Sequence, residues 1–176
     1  MGKQKTNTTV VIDGGNVKID DIIATARDGL RVEISKNSRF VKKMEKTQRM
    51  LIDAMRNGVP VYGVTTGYGR SCGRRMPMEI AMKNGTNIFR FHGCGTGEPI
   101  GIEETRAAML CRIICLARGY SGVSLGLLKQ MADFLNKGIT PVVPAEGSVG
   151  ASGDLTPMSY IGACLMGERE VFYQVQ

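Results

Sequence analysis

Gly147-Ser148-Val149-Gly150-Ala151-Ser152-Gly153-Asp154-Leu155-Thr156-Pro157 is the stretch that decides how the chain is read. It is small, glycine-rich and almost free of charge. It follows a segment bracketed by Pro141 and Pro144 and leads into an apolar run from Met158 to Met166. A small-residue turn feeding a helix start exposes backbone beside a terminus of partial positive charge. Asp154 stands where it can cap a helix over residues 155–166, and Pro157 is tolerated in a first turn. Within the turn, Ala151-Ser152-Gly153 has a specific chemistry open to it. The Gly153 amide nitrogen can attack the Ala151 carbonyl carbon, since glycine has no Cβ to block the approach. Loss of two waters, one from ring closure and one from Ser152, leaves a five-membered ring with an exocyclic methylene. On spacing alone, a flexible loop is the simpler reading. A serine-hydrolase elbow, G-x-S-x-G, fails because Asp154 stands where its second glycine belongs.

The eleven residues together resemble the signature of the aromatic amino-acid ammonia-lyases, the histidine, phenylalanine and tyrosine lyases with their aminomutase relatives. In that family Ala-Ser-Gly becomes 4-methylideneimidazole-5-one, and the aspartate equivalent to Asp154 helps hold the tripeptide for cyclisation. The resemblance therefore implies a self-formed electrophile at Ala151, Ser152 and Gly153, with no metal and no nucleotide.

Working back from the turn, the strongest helical periodicity lies over residues 102–118. Ile102, Met109, Leu110, Ile113, Ile114 and Ala117 fall on one side, with Arg106, Arg112 and Arg118 among the rest and Gly119 as the stop. Ser121-Gly122-Val123 caps a further helix with Leu127, Leu128, Met131, Phe134 and Leu135 on its apolar face, ended by Gly138. Another helix is expected over 78–90, followed by Phe91-His92. His92 is the only histidine; taken alone it reads as a satisfied local hydrogen-bonder. The resemblance places Phe91 and His92 on the family's two-residue substrate selector. A histidine in the second place leans towards histidine or another polar aromatic ring, and an imidazole can bond either an imidazole or a phenol. Phe91 departs from the small residue usual in histidine lyases.

Val59-Pro60-Val61-Tyr62-Gly63-Val64-Thr65-Thr66-Gly67-Tyr68-Gly69 reads as a short apolar strand running into a three-glycine turn. It is not G-x-G-x-x-G and sits in no βαβ pattern, which argues against a dinucleotide site. The segment is similar to the family's mobile inner loop, YG(I/V)xTG(F/Y)G, whose first tyrosine is the general base and maps onto Tyr62. A free tyrosine ionises near pH 10, about 3 pH units above neutrality, so such a base needs nearby positive charge and donors. Further back, Ser38 opens a helix stopped by Gly58, Asp20–Arg27 forms a short helix ended near Gly29, and Val10–Ile12 and Val32–Ile34 read as short strands. Residues 1–9 are expected to be a disordered tail.

Composition narrows the classes. The 176 residues suffice for one domain with a core. No apolar run approaches a membrane span, and the polar N-terminus carries no secretory signal. Five irregularly spaced cysteines argue for reduced, mostly buried thiols in a cytoplasmic protein, and with a single histidine they make a poor metal site. The net charge of +7 is spread along the chain and densest on one helix face at 36–49. Aromatics do not alternate with it, so a solvated face is preferred to a nucleic-acid surface.

The sequence thus points to a mainly α fold, the N-terminal portion (residues 10–176) of the aspartase-like helical bundle of the ammonia-lyases, with short strands near the N-terminus. The resemblance implies an aromatic amino-acid ammonia-lyase, histidine or tyrosine favoured, forming an arylacrylate, and a homotetramer with sites shared between subunits. It covers only the N-terminal part of the family, so the segment alone is expected to be inactive. An aromatic amino-acid 2,3-aminomutase is one alternative. An inactive truncated member acting as an assembly partner is the other.

Overall fold

The computed structural model describes residues 8–174. The tail expected at residues 1–9 lies mostly outside them, and Thr9 already belongs to a strand. Strand β1 (Thr9–Ile12) and strand β2 (Arg31–Ile34) pair in parallel, Val10 opposite Val32 and Ile12 opposite Ile34, across helix α1 (Ile19–Arg27). Alternation sends Val10, Ile12, Val32 and Ile34 inward, where each is buried.

Helix α2 (Ser38–Arg56) starts where Asn37 accepts the Arg39 N–H in its side chain, and it buries Phe40 and Met44. Helix α3 (Met78–His92) is followed by strand β3 (Thr96–Pro99) and helix α4 (Ile102–Ala117). Helix α5 (Leu125–Asn136) leads into strand β4 (Ile139–Pro141), strand β5 (Pro144–Glu146), helix α6 (Leu155–Leu165) and strand β6 (Val171–Tyr173). Two small antiparallel pairs form, β3 with β5 and β4 with β6. The fold is mainly helical, as the sequence implies. Its strands, however, extend well beyond the N-terminal region.

The core is built on α4 and α5. Met109, Leu110, Ile113, Ala117 and Leu128 are wholly inaccessible to solvent. Side chains three and four apart fall on one helix face, which is why these residues turn inward together. Four details differ from the sequence reading. Helix α5 is capped by Ser124, whose hydroxyl accepts the Leu127 N–H, rather than by residues 121–123. Residues 59–61 are irregular and 62–65 form a turn, instead of a strand. Cys72, Cys94, Cys111 and Cys115 are exposed and only Cys164 is buried. Cys111 and Cys115 occupy the outer side of α4, since the inward face is taken by the residues just named.

The fourth difference is Arg106, which periodicity assigns to the polar side of α4 but which is 4% exposed. Its guanidinium donates to the carbonyls of Thr25 (2.9 Å) and Ala26 (3.1 Å) at the end of α1, and of Leu135 (3.1 Å) at the end of α5. These carbonyls belong to last helical turns, where acceptors lack intrahelical partners and the helix dipole is negative. One cation therefore caps two helices. Burial pulls its pKa below the usual guanidinium value. The charge persists because three carbonyl dipoles face it and arginine does not deprotonate at neutral pH.

Candidate active site

The turn ahead of α6 is tightly wound. Gly150 and Gly153 have φ of +76° and +71°, in the left-handed region where glycine carries no Cβ penalty. A Cβ on Gly153 would stand 3.1 Å from the Ser148 Oγ, and that hydroxyl donates to the Gly153 carbonyl. Ala151 and Ser152 are exposed. The chain entering the turn is held by β5, and Gly147 passes so close to Gly95 that a Cβ would lie 3.0 Å from the Gly95 Cα. The chain leaving it is the first turn of α6, whose free N–H groups give that end partial positive charge. These features fit a cyclising tripeptide: bent backbone, a glycine nitrogen without a flanking Cβ, and a serine hydroxyl free to leave.

Asp154 occupies the N-cap position of α6, yet its side chain makes no capping hydrogen bond there. Its carboxylate instead lies 3.8 Å from the Arg112 guanidinium of α4. Both groups are well exposed, so the pair orients more than it stabilises.

Phe91 and His92 form the last residues of α3 rather than following it, because the helical hydrogen bonding runs on to Gly93, whose N–H bonds the Phe89 carbonyl at 3.0 Å. The His92 Nδ1 lies 2.9 Å from the Ile88 carbonyl. A carbonyl only accepts, so Nδ1 carries the proton and, in the neutral ring, Nε2 is left as an acceptor. His92, Arg112, Gln130, Leu155 and Met158 line an apolar groove of about 490 Å³ between α3, α4, α5 and α6. Phe91 is 78% exposed.

Helices α3 and α6 are locked together near this groove. A Cβ on Gly162 would overlap the Phe89 ring, so only glycine allows their approach. Arg90 reaches Glu168 through two bonds of 3.1 and 2.8 Å, and Arg169 donates to the Gly93 carbonyl while lying 4.8 Å from the Tyr160 ring centroid. The Arg90 hydrogen bonds hold the Glu168 carboxyl below its ordinary value.

Tyr62 lies elsewhere, in a loop built on its own hydrogen bonds. Thr65 accepts the Val61 N–H (2.8 Å) and donates to the Val59 carbonyl (3.1 Å). Thr66 bonds both Gly63 and Gly67. Threonine hydroxyls thus satisfy backbone groups that a strand would have paired, and Pro60 has no N–H to offer one. Tyr62 is 66% exposed and lines a second depression with Met50, Leu51 and Tyr120. Its hydroxyl accepts the Gly69 N–H at 3.1 Å. Tyr68 packs edge-on against it, with centroids 6.2 Å apart. Burial first, and Tyr62 second, raise the Tyr68 pKa, so Tyr68 stays protonated and donates to the Gly63 carbonyl at 2.9 Å.

The structure therefore brings Arg112 and Asp154 together beside the 151–153 turn at the N-terminus of α6, places His92 in the groove that runs along α6 and also holds Arg112 and Leu155, and leaves Tyr62 in a separate depression. Residues 17–176 match the family model described as aromatic amino acid lyase. The chain belongs to the aromatic amino acid lyase family. Among curated relatives, the histidine ammonia-lyases of Streptococcus sanguinis and Myxococcus xanthus are 37% and 38% identical. These matches cover 94% and 95% of the chain, and 32% of each relative. The chain thus spans about a third of the length of the relatives it matches. In three dimensions it is similar to the ergothionase of Treponema denticola, with a TM-score of 0.88 and 28% identity over 96% of the chain and 33% of that structure. The tyrosine aminomutase of Streptomyces globisporus gives 0.85 and 30% over 96% of the chain and 31% of that structure.

Within this lyase-family chain, sequence reasoning missed the positions of Arg112, Gly162 and Tyr68. Arg112 and Asp154 lie on elements that meet only in space. Gly162 reads as an ordinary glycine in an apolar helix. Among the described residues no cluster of three metal-binding side chains occurs and no helix is long and apolar enough to cross a membrane.

Proposed function

We propose that the chain is part of an aromatic amino-acid ammonia-lyase acting on a substrate with a polar ring, histidine or tyrosine, in the cytoplasm. The observation that carries this reading is the left-handed, hydroxyl-braced Gly150–Gly153 turn at the N-terminus of α6. The Gly153 nitrogen bonds to the Ala151 carbonyl carbon, that oxygen leaves as water, and Ser152 gives up its Oγ as a second water. The resulting 4-methylideneimidazole-5-one supplies an electrophilic exocyclic carbon to the substrate amine. The α6 N-terminus stabilises negative charge gathering on nearby oxygens. Asp154, oriented by Arg112, braces the turn. Tyr62 removes the β-proton, ammonia departs and an arylacrylate is released. His92 Nε2 accepts the N–H of an imidazole or the O–H of a phenol, and Phe91 contributes an apolar wall to the ring.

Tyr62 and the turn occupy different depressions, which supports sites completed between subunits of a homotetramer. The test follows arylacrylate by its ultraviolet absorbance together with ammonia release, in the whole enzyme that contains this chain and in its Ser152→Ala variant. Equimolar products lost in the folded variant are expected; an unaffected variant removes the mechanism. The likeness to a tyrosine aminomutase favours a second reading, 2,3-amino migration. Chiral analysis that finds a β-amino acid product selects it.

A further inference from the structure

Tyr62 and Tyr68 are joined by a reciprocal arrangement that the lyase chemistry leaves unused. The Tyr62 hydroxyl bonds the N–H of Gly69, the residue after Tyr68, and the Tyr68 hydroxyl bonds the carbonyl of Gly63, the residue after Tyr62. The rings meet at 88° between these two bonds. Glycine is required where they close: at Gly63 φ is +71° and a Cβ would stand 2.9 Å from the Tyr68 ring, while at Gly67 it would stand 2.6 Å from the Ser71 carbonyl. Thr65 and Thr66, both buried, fix the base of the loop.

Resting on the reading of Tyr62 as the base, we propose that Tyr68 is its positioning residue. The two tyrosines form a latch that sets the Tyr62 ring and keeps the Gly69 N–H on its oxygen. The N–H donated to the phenol oxygen fixes where that oxygen points, so the latch aims the base. The titratable groups facing Tyr62 are Tyr68 in its own loop and Tyr120 after α4, with Lys43 of α2 5.7 Å from the Tyr120 ring centroid. Among the described residues lining that depression there is no carboxylate. The hydroxyl of Tyr68 is thus the feature that a single-atom change can remove without altering charge nearby.

The test labels tyrosine ring carbons for NMR, with Tyr62→Phe assigning the Tyr62 signal. In Tyr68→Phe the Tyr62 signal is expected to shift. Tyr173→Phe, in a distant strand, should leave it unmoved. In turnover by the whole enzyme that contains this chain, Tyr68→Phe should lower kcat about fivefold at little change in KM, the equivalent of one neutral hydrogen bond. An unmoved Tyr62 signal with an unchanged kcat overturns the latch, as does a rise in kcat. Full activity in Tyr62→Phe would instead remove the base assignment, and the NMR result still decides whether the latch exists.

Discussion

Replacing Arg106 by methionine keeps most of the side-chain volume and removes the guanidinium that caps α1 and α5. Three bonds from an ionised donor are lost, each worth about 1.5–3 kcal/mol. Part of that is returned, because a buried guanidinium no longer has to be held out of water. The carbonyls of Thr25, Ala26 and Leu135 are left facing an apolar thioether. The net loss is expected to be about 3 kcal/mol, within the range for breaking a buried charged cluster. With a urea slope of about 2 kcal/mol/M, the unfolding midpoint should fall by about 1.5 M at unchanged slope. Arg106→Lys keeps a charge but loses the planar fork, so its midpoint should lie between. It also keeps the comparison measurable if the methionine variant is too unstable to purify. A methionine variant within about 0.3 M of wild type would refute the double-cap argument.

Three further expectations follow from the packing around α6. Gly162→Ala forces a methyl into the Phe89 ring and should destabilise by about 1–3 kcal/mol, measured by thermal unfolding, with Phe89→Leu restoring part of the loss. The Glu168 carboxyl is held below its ordinary value by Arg90, so its contribution is full above the unfolded carboxylate range and is lost as pH falls through the depressed folded value; the difference in unfolding midpoint between wild type and Arg90→Gln should shrink to nothing in acid. Burial pushes the Cys164 thiol up to about 11, so a thiol-specific chromogenic reagent at mild alkaline pH should modify the four exposed cysteines quickly and Cys164 only on unfolding.

Much of the frame was legible in the sequence because helix faces repeat. Met109, Leu110, Ile113 and Ala117, and likewise Leu128, Met131 and Leu135, lie where their spacing puts them. The strands β3 to β6 were not legible. They have three or four residues, several are prolines, and their partners lie far along the chain. Arg106 was misplaced because periodicity weighs an arginine as polar, whereas its burial depends on two helix ends that converge only in three dimensions. The exposure of Cys111 and Cys115 follows from the same geometry. At the site, the chemistry proposed for Ala151-Ser152-Gly153 rests on a local motif. The separation of Tyr62 from that turn, the end of α3 beneath His92, and the Tyr62–Tyr68 latch depend on backbone bonds that spacing does not encode.

The central claim is that Ala151, Ser152 and Gly153 close into an electrophile. The most direct measurement is the intact mass of the purified protein beside that of Ser152→Ala. The account predicts a wild-type mass two waters below the value for its sequence, with the deficit absent in the variant. A wild-type mass equal to that of the unmodified sequence contradicts it.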